Sequence, residues 1–259
     1  PRGLWPQGRC LVGPAMKLTE ATWLEVEAYL RSACGIFIPT GSTEQHGPIG
    51  LIGTDALCAE AIADGAADTV KALVAPTLCY TPAPFNTSFP GTLSLSEPVY
   101  RAMLGEITDG LIAQGFRHIY FVNGHGANIA ALQELAGSTS AANIRVRSWW
   151  DFDDVNDLRQ KYYGDWEGMH ATPSEVAITQ ALHRRVTSPL ADQPPMKLSA
   201  AYIKAHAGDR HGPPDAHRRD FPDGRVGSHS ALATPAHGRT VLSAAIHSVA
   251  NDYQEWIMT

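Results

Sequence analysis

Two short stretches concentrate the side chains that bind metals and move protons. They are Gly41-Ser42-Thr43-Glu44-Gln45-His46-Gly47-Pro48, with Asp55 downstream, and Asn123-Gly124-His125-Gly126-Ala127-Asn128. Glutamate, histidine and aspartate are the oxygen and nitrogen ligands that zinc, manganese and iron accept. In extended backbone, residues two apart share a face, so Glu44 and His46 can address one volume. Asp55 is placed to open a following helix, where the dipole favours a carboxylate. His125 stands between two glycines, where the backbone can approach a ligand closely. Taken singly, each also has an ordinary reading: solvated loop residues, a helix N-cap, a turn histidine. A third stretch, Trp166-Glu167-Gly168-Met169-His170-Ala171-Thr172-Pro173-Ser174-Glu175, has Thr172 or Ser174 to cap a helix beginning near Glu175. That leaves His170 in a loop, available for proton transfer near neutrality. Trp166 and the pair Trp149-Trp150 offer flat apolar surface, suited either to a planar ligand or to core packing.

The elements that must position these residues follow from the apolar pattern. Gly35–Pro39, Leu73–Tyr80, His118–Val122 and Ile144–Trp150 read as strands. Leu18–Ala33, Thr54–Asp68, Ser96–Gln114, Ile129–Ala136, Glu175–His183 and Thr240–Ile257 read as helices. Strands alternating with helices imply βαβ units and a largely parallel sheet, whose sites gather beyond the carboxyl ends of the strands. The polar motifs fall at strand ends after Ile38, Tyr80 and Val122. Residues 204–238, rich in Gly, Pro, His, Asp and Arg, read as a long surface excursion.

A chain of 259 residues with 44% hydrophobic and 18% charged residues has the composition of a globular enzyme with a sizeable core. A net charge of −6 and the lack of any basic 5–8-mer argue against a nucleic-acid partner. No apolar run is long enough to span a membrane. The cysteines Cys10, Cys34, Cys58 and Cys79 lack C-x-x-C spacing and suggest no disulfide framework, which fits a reducing, cytoplasmic setting. Residues 1–15 have no signal-peptide pattern and precede Met16-Lys17-Leu18; they read as an upstream or expression-derived extension to one domain over 16–259.

Taken jointly and in order, the motifs carry a resemblance. G-S-T-E-Q-H-G-P with Thr54-Asp55, Phe89-Pro90-Gly91-Thr92-Leu93-Ser94-Leu95, N-G-H-G-A-N, His170-Ala171 with Glu175, and Gly224-Arg225-Val226-Gly227-Ser228-His229 resemble the creatininase (creatinine amidohydrolase) family, over roughly Pro39 to Gly238. The resemblance implies a three-layer α/β/α fold with a mostly parallel central sheet. It also implies two divalent metal ions per chain (Zn, Mn or Fe), homo-oligomeric assembly, and hydrolysis of cyclic amides, formamides, other non-peptide amides or, in some branches, peptide ends. Carried over, Glu44 and His125 hold one metal, His46 the other, and Asp55 bridges both. His170 matches the catalytic histidine, and Trp166 an aromatic wall beside the substrate.

Three positions depart from the family pattern. Ala127 stands where creatininase has a carboxylate ligand, and Glu175 is the expected substitute, serving both as ligand and in catalysis. Ile49 replaces a histidine, and Pro84-Phe85-Asn86 replaces the histidine-bearing segment before F-P-G-T, which puts Asn86 at the substrate pocket and argues against creatinine as substrate. Backbone N–H groups at Gly47, Gly91 and Gly126 are candidates to meet the oxyanion. The small-molecule amidohydrolase reading competes with a peptidase-like branch and with a non-catalytic binding protein on the same scaffold. A serine nucleophile and a dinucleotide site are disfavoured by the missing G-x-S-x-G and G-x-G-x-x-G patterns.

Overall fold

The computed structural model describes residues 16–259; the extension expected over residues 1–15 lies outside the described residues. Five parallel strands, β1 (Met16–Lys17), β2 (Gly35–Thr40), β3 (Leu73–Val74), β4 (His118–Asn123) and β5 (Asn143–Ser148), form one sheet in the order β1-β3-β2-β4-β5. Period-two alternation sends each strand's side chains to two opposite cores. Phe37, Tyr120 and Val122 pack against Ile62, Ala63 and Ala66 of α2 (Thr54–Val70) and Val241, Ala245 and Val249 of the C-terminal helix. Ile36, Ile38, Ile119 and Phe121 pack on the other face, against Leu104 and Leu111 of α3 (Glu97–Gln114) and Leu132 of α4 (Ile129–Ser138). The result is the three-layer α/β/α arrangement. The remaining helices are α1 (Trp23–Leu30), α5 (Asp153–Tyr163), α6 (Pro173–Leu182), α7 (Pro189–Asp192), α8 (Ala200–His206), α9 (Pro214–Asp220) and α10 (Pro235–Ile257). None is long and apolar enough to cross a membrane.

The expected elements are present, with instructive shifts. The strand read over Leu73–Tyr80 keeps regular pairing only at Leu73–Val74, because Pro76 has no N–H to donate. The chain nonetheless follows β2: the Ala75 N–H donates to the Phe37 carbonyl (2.8 Å) and the Leu78 N–H to that of Pro39 (2.9 Å). The last helix begins at Pro235, five residues before Thr240. Thr234 caps it by accepting from the His237 N–H (3.2 Å), and Pro235 sits in the first turn, where no N–H is needed. Residues 204–238 differ most from expectation, since α8 ends and α9 lies within them and His217 and Arg225 are buried. Cys58 and Cys79 are free thiols.

The strand order reverses between β2 and β4. From β2 the chain crosses to β3 on one side, and from β4 to β5 on the other, which opens a crevice at their carboxyl ends, where Thr40 pairs with Asn123. Two glycines let α2 start deep in that crevice. A Cβ on Gly41 would lie 2.3 Å from the Ala56 nitrogen, and one on Gly124 would lie 2.4 Å from the Asp55 carbonyl oxygen. Both glycines therefore press on the peptide that carries Asp55. Gly124→Ala is expected to cost about 1–3 kcal/mol of stability by overpacking and to weaken cation binding as the Asp55 backbone shifts. Thermal denaturation with and without added metal checks both effects.

Candidate metal centre

The segment after β2 carries Glu44 and His46, and the sequence around Phe89–Leu95 holds it in place. The Leu93 N–H donates to the Thr43 carbonyl (2.8 Å) and the Gln45 N–H to Thr92 Oγ1 (3.1 Å). Asp55 lies in the first turn of α2, and His125 follows β4 in extended conformation. Glu44, His46, Asp55 and His125 are all at most 3% exposed. The structure thus brings the four sequence-derived candidates into one buried volume.

Hydrogen bonding fixes which ring nitrogen faces that volume. His46 Nδ1 donates to the Glu44 carbonyl (3.1 Å), so the Nε2 lone pair faces Asp55 Oδ1 at 2.8 Å and Glu175 Oε1 at 3.8 Å. His125 Nε2 donates to the Pro82 carbonyl (2.8 Å), so Nδ1 faces Asp55 Oδ2 at 2.9 Å and Glu44 Oε1 at 3.2 Å. Asp55 therefore offers one oxygen to each histidine, and Ser42 Oγ donates to its Oδ2 (2.8 Å). Glu44 Oε1 is buried without a hydrogen-bond partner. Carboxylates and imidazole lone pairs converging in a dry site need positive charge between them, either protons or metal.

The electrostatics express this demand. Burial opposes protonation of His46, yet Asp55 and Glu175 raise its pKa to about 10; His125 is likewise raised, by Glu44 and Asp55 against burial. Asp55 and Glu44 are lowered, again against burial, by the facing histidines. In such a site a divalent ion replaces the proton. Glu44-Asp55-His125 and His46-Asp55-Glu175 each present ligand atoms mutually within 4.8 Å, as does Glu44-His46-His170. The donor set of imidazoles and carboxylates suits Zn, Mn or Fe.

Glu175 stands both at a helix start and beside the cluster. It completes a capping box at the start of α6, accepting from the Thr172 N–H (2.5 Å) while its own N–H donates to Thr172 Oγ1 (3.4 Å). Its carboxylate also reaches the His46 side of the cluster, and burial pushes its pKa up to about 8. His170 is 4% exposed and lies beside the cluster. Its Nε2–H meets the Gln45 carbonyl (2.7 Å), leaving Nδ1 3.7 Å from Glu44 Oε1. Burial lowers its pKa to about 4, so the ring is neutral at neutral pH.

Asn86 and Trp166 sit elsewhere than expected. Asn86 is fully buried, donates to Glu44 Oε2 (2.7 Å) and accepts from Gln45 Nε2 (2.8 Å), so it orients a ligand from behind. Trp166 packs edge-on to His229, ring centroids 5.7 Å apart, with the Lys197 ammonium 4.6 Å from its ring centre. The cavity over the cluster, of 210 Å³, is walled instead by Trp149, Trp150, Met169, Arg159, Gly126 and Asp209, with Asp55, His125, His170 and Glu175 at its base. Gly126 lines this cavity, whereas Gly47 and Gly91 serve left-handed turns (φ +65° and +93°) against Arg225 and Ile52. Ile49, 6% exposed, packs with Val176, Ala177, Ala191 and Ala233 and does not line this cavity.

Sequence reasoning missed Gln45, Ser42 and Asp209. The Gln45 carbonyl accepts from His170 Nε2 (2.7 Å) while the Gln45 side-chain Nε2 donates to the Gly224 carbonyl (2.9 Å), tying the His170 loop to the C-terminal segment. That segment also pairs directly with the loop, the Met169 N–H donating to the Val226 carbonyl (2.9 Å). The signal for Gln45 was its place between two ligand candidates; nothing local marked Asp209.

A parallel sheet with a buried histidine–carboxylate cluster at its topological switch point defines an α/β protein with a candidate metal site. The comparisons resolve the class: a family model described as creatininase, creatinine amidohydrolase, matches residues 19–252, and the chain belongs to this family of amidohydrolases. It is 30% identical to the creatinine amidohydrolase of Pseudomonas putida over 183 residues, 63% of this chain and 70% of that one. It is 28% identical to the mycofactocin precursor peptide peptidase of Mycolicibacterium smegmatis, covering 85% of each chain. A solved structure described as creatininase Mn superposes with a TM-score of 0.71 at 25% identity, covering 94% of this chain and 99% of that one.

Proposed function

We propose that this chain binds two divalent cations on either side of Asp55 and hydrolyses a C–N bond of a small cyclic or linear amide or a formamide. The observation that carries this reading is the division of Asp55 between two histidine lone pairs, with the unpartnered Glu44 Oε1 beside one of them. Divalent ions held there supply Lewis acidity towards an amide carbonyl and towards water. Glu44, Asp55 and His125 are the ligands on one side, and His46, Asp55 and Glu175 on the other. Either zinc or manganese suits this set.

The protein's own groups account for binding and proton movement. Trp149 and Trp150 provide flat apolar walls for a small planar substrate. The Gly126 backbone lies where an oxyanion can be met. His170 is neutral and its Nδ1 is uncommitted, so it can take a proton from water and return it to the leaving nitrogen. The Gln45 carbonyl fixes its tautomer, and Asn86 and Ser42 hold Glu44 and Asp55 in register. Homo-oligomeric assembly is part of the same reading.

A second reading, peptide-end hydrolysis, has an observation in its favour. A 640 Å³ cavity adjoins the first and shares Gly126, Ile129, Gly208 and Asp209 with it, giving room for a longer substrate. Of the positions on which the case against creatinine rests, Ile49 and the Pro84–Asn86 stretch, Asn86 stands behind Glu44 and Ile49 packs in a separate apolar cluster, so creatinine belongs in the same test. The test is a hydrolysis screen of the Mn- and Zn-loaded protein against lactams, creatinine, formamides, linear amides and short peptides. Turnover of one amide class, lost on metal removal and restored by metal, is expected. No turnover in any class by protein shown to hold both ions would favour a binding role instead.

A further inference from the structure

Among the described residues that line the 210 Å³ cavity, one carries a fixed positive charge: Arg159, on α5. Its neighbours hold it in place. Nε donates to Glu167 Oε1 (2.8 Å) and Nη1 to Asn156 Oδ1 (2.7 Å), and the guanidinium lies 5.9 Å from the centre of the Trp149 ring. Asn156 in turn donates to the Trp150 carbonyl (2.7 Å), and Ser174, beside Glu175, donates to Glu167 Oε1. The arginine is thereby tied both to the tryptophan pair and to the start of α6. Two of its three nitrogens are engaged, and Nη2 has no acceptor among the described residues. The other charged group of the wall outside the candidate ligands, Asp209, is already engaged. It accepts from the Ala127 N–H and stands 3.7 Å from His125 Nδ1.

We propose that Arg159 is a specificity-determining residue that pairs with a carboxylate on the substrate, which makes the substrate class a small amide or lactam bearing an anionic group. This rests on the proposed hydrolysis at the Asp55 centre. The cavity is smaller than the roughly 300–1,000 Å³ of most ligand sites, and Asp55, His125, His170 and Glu175 form its base. A substrate whose amide meets that base has its remainder beside Trp149, Trp150 and Arg159. A guanidinium matches a carboxylate in shape, and charge-assisted hydrogen bonds are roughly twice as strong as neutral ones. A neutral substrate filling this volume would leave Nη2 without an acceptor, a cost that a carboxylate removes. The rival role for Arg159 is structural bracing through Glu167 alone. Against it, Glu167 accepts from a single nitrogen rather than forming the paired bridge, and its Oε2 is buried without a partner. The guanidinium is thus not closed upon Glu167.

The test uses two lactams that differ in charge, pyroglutamate and pyroglutaminamide. Their binding to Mn-loaded wild type and Arg159→Gln is measured by calorimetry, with hydrolysis followed in parallel. Any contact of the carboxylate with metal is common to both proteins, so the comparison isolates Arg159. Wild type is expected to bind pyroglutamate about 10–100-fold more tightly than pyroglutaminamide. Arg159→Gln is expected to lose that preference, and where turnover is seen the loss should fall on KM rather than kcat. No preference for the carboxylate in wild type would overturn the proposal, and this measurement needs no variant to fold. A preference of undiminished size in Arg159→Gln would overturn it too, since the metals would then account for it. The expected preference without hydrolysis of either lactam, or of any amide in the screen, would support the anion site and overturn the amidohydrolase reading instead.

Discussion

Asp55→Ala should empty both cation positions at once. Asp55 is the single carboxylate with one oxygen 2.8 Å from His46 Nε2 and the other 2.9 Å from His125 Nδ1. Removing an outer hydrogen-bond partner of a ligand already costs about 10–100-fold in metal affinity, and a shared ligand costs more, on two ions together. Left behind would be Glu44 and Glu175 facing two imidazoles with no bridge between the halves. The expected result is purified protein with neither ion and hydrolysis at background, measured by elemental analysis and by the substrate found in the screen. The fold should survive, because Thr54 Oγ1 still anchors the helix start on the Leu51 carbonyl (2.7 Å). Loss of only one ion would show that Asp55 does not bridge.

His170→Ala should do the opposite, keeping metal and losing turnover. A general acid–base group contributes about 10²–10⁴-fold, and the drop should appear in kcat at saturating metal. The geometry gives this reading a definite rival, since His170 Nδ1 also forms a possible ligand group with Glu44 and His46. The two separate on metal content: a variant that loses an ion in proportion to its activity would make His170 a ligand. A pH profile adds a second readout. Proton transfer through His170 makes kcat depend on its titration in wild type, and that limb should vanish in the variant.

Much of this architecture is legible in local sequence. Apolar runs ended by Pro39-Thr40-Gly41 and by Asn123-Gly124 are β2 and β4, and the polar motifs after them are the candidate ligands, because parallel strands put their following residues at one edge. Thr172 and Ser174 both read as caps for a helix near Glu175, and Thr172 is the one that caps α6, in a capping box with Glu175. What stays illegible depends on contacts distant in sequence. Asp209 meets His125 across 84 residues, from a stretch whose Gly, Pro and charge content resembles solvent-exposed loop. Asn86 looks like a pocket residue from its motif, but only the packed fold shows that it faces Glu44 from behind. Trp166 and the Trp149-Trp150 pair are alike as sequence, and the sheet decides between them: Trp149 and Trp150 follow β5 at the cavity edge, while Trp166 turns to His229 and Lys197.

The central claim is a pair of divalent cations sharing Asp55, and anomalous diffraction from crystals of the Mn- or Zn-loaded protein tests it most directly. Two anomalous peaks are predicted, one among Glu44, Asp55 and His125 and one among His46, Asp55 and Glu175, with Asp55 between them. A single peak with His46 and Glu175 left uncoordinated, or peaks away from Asp55 altogether, would contradict it.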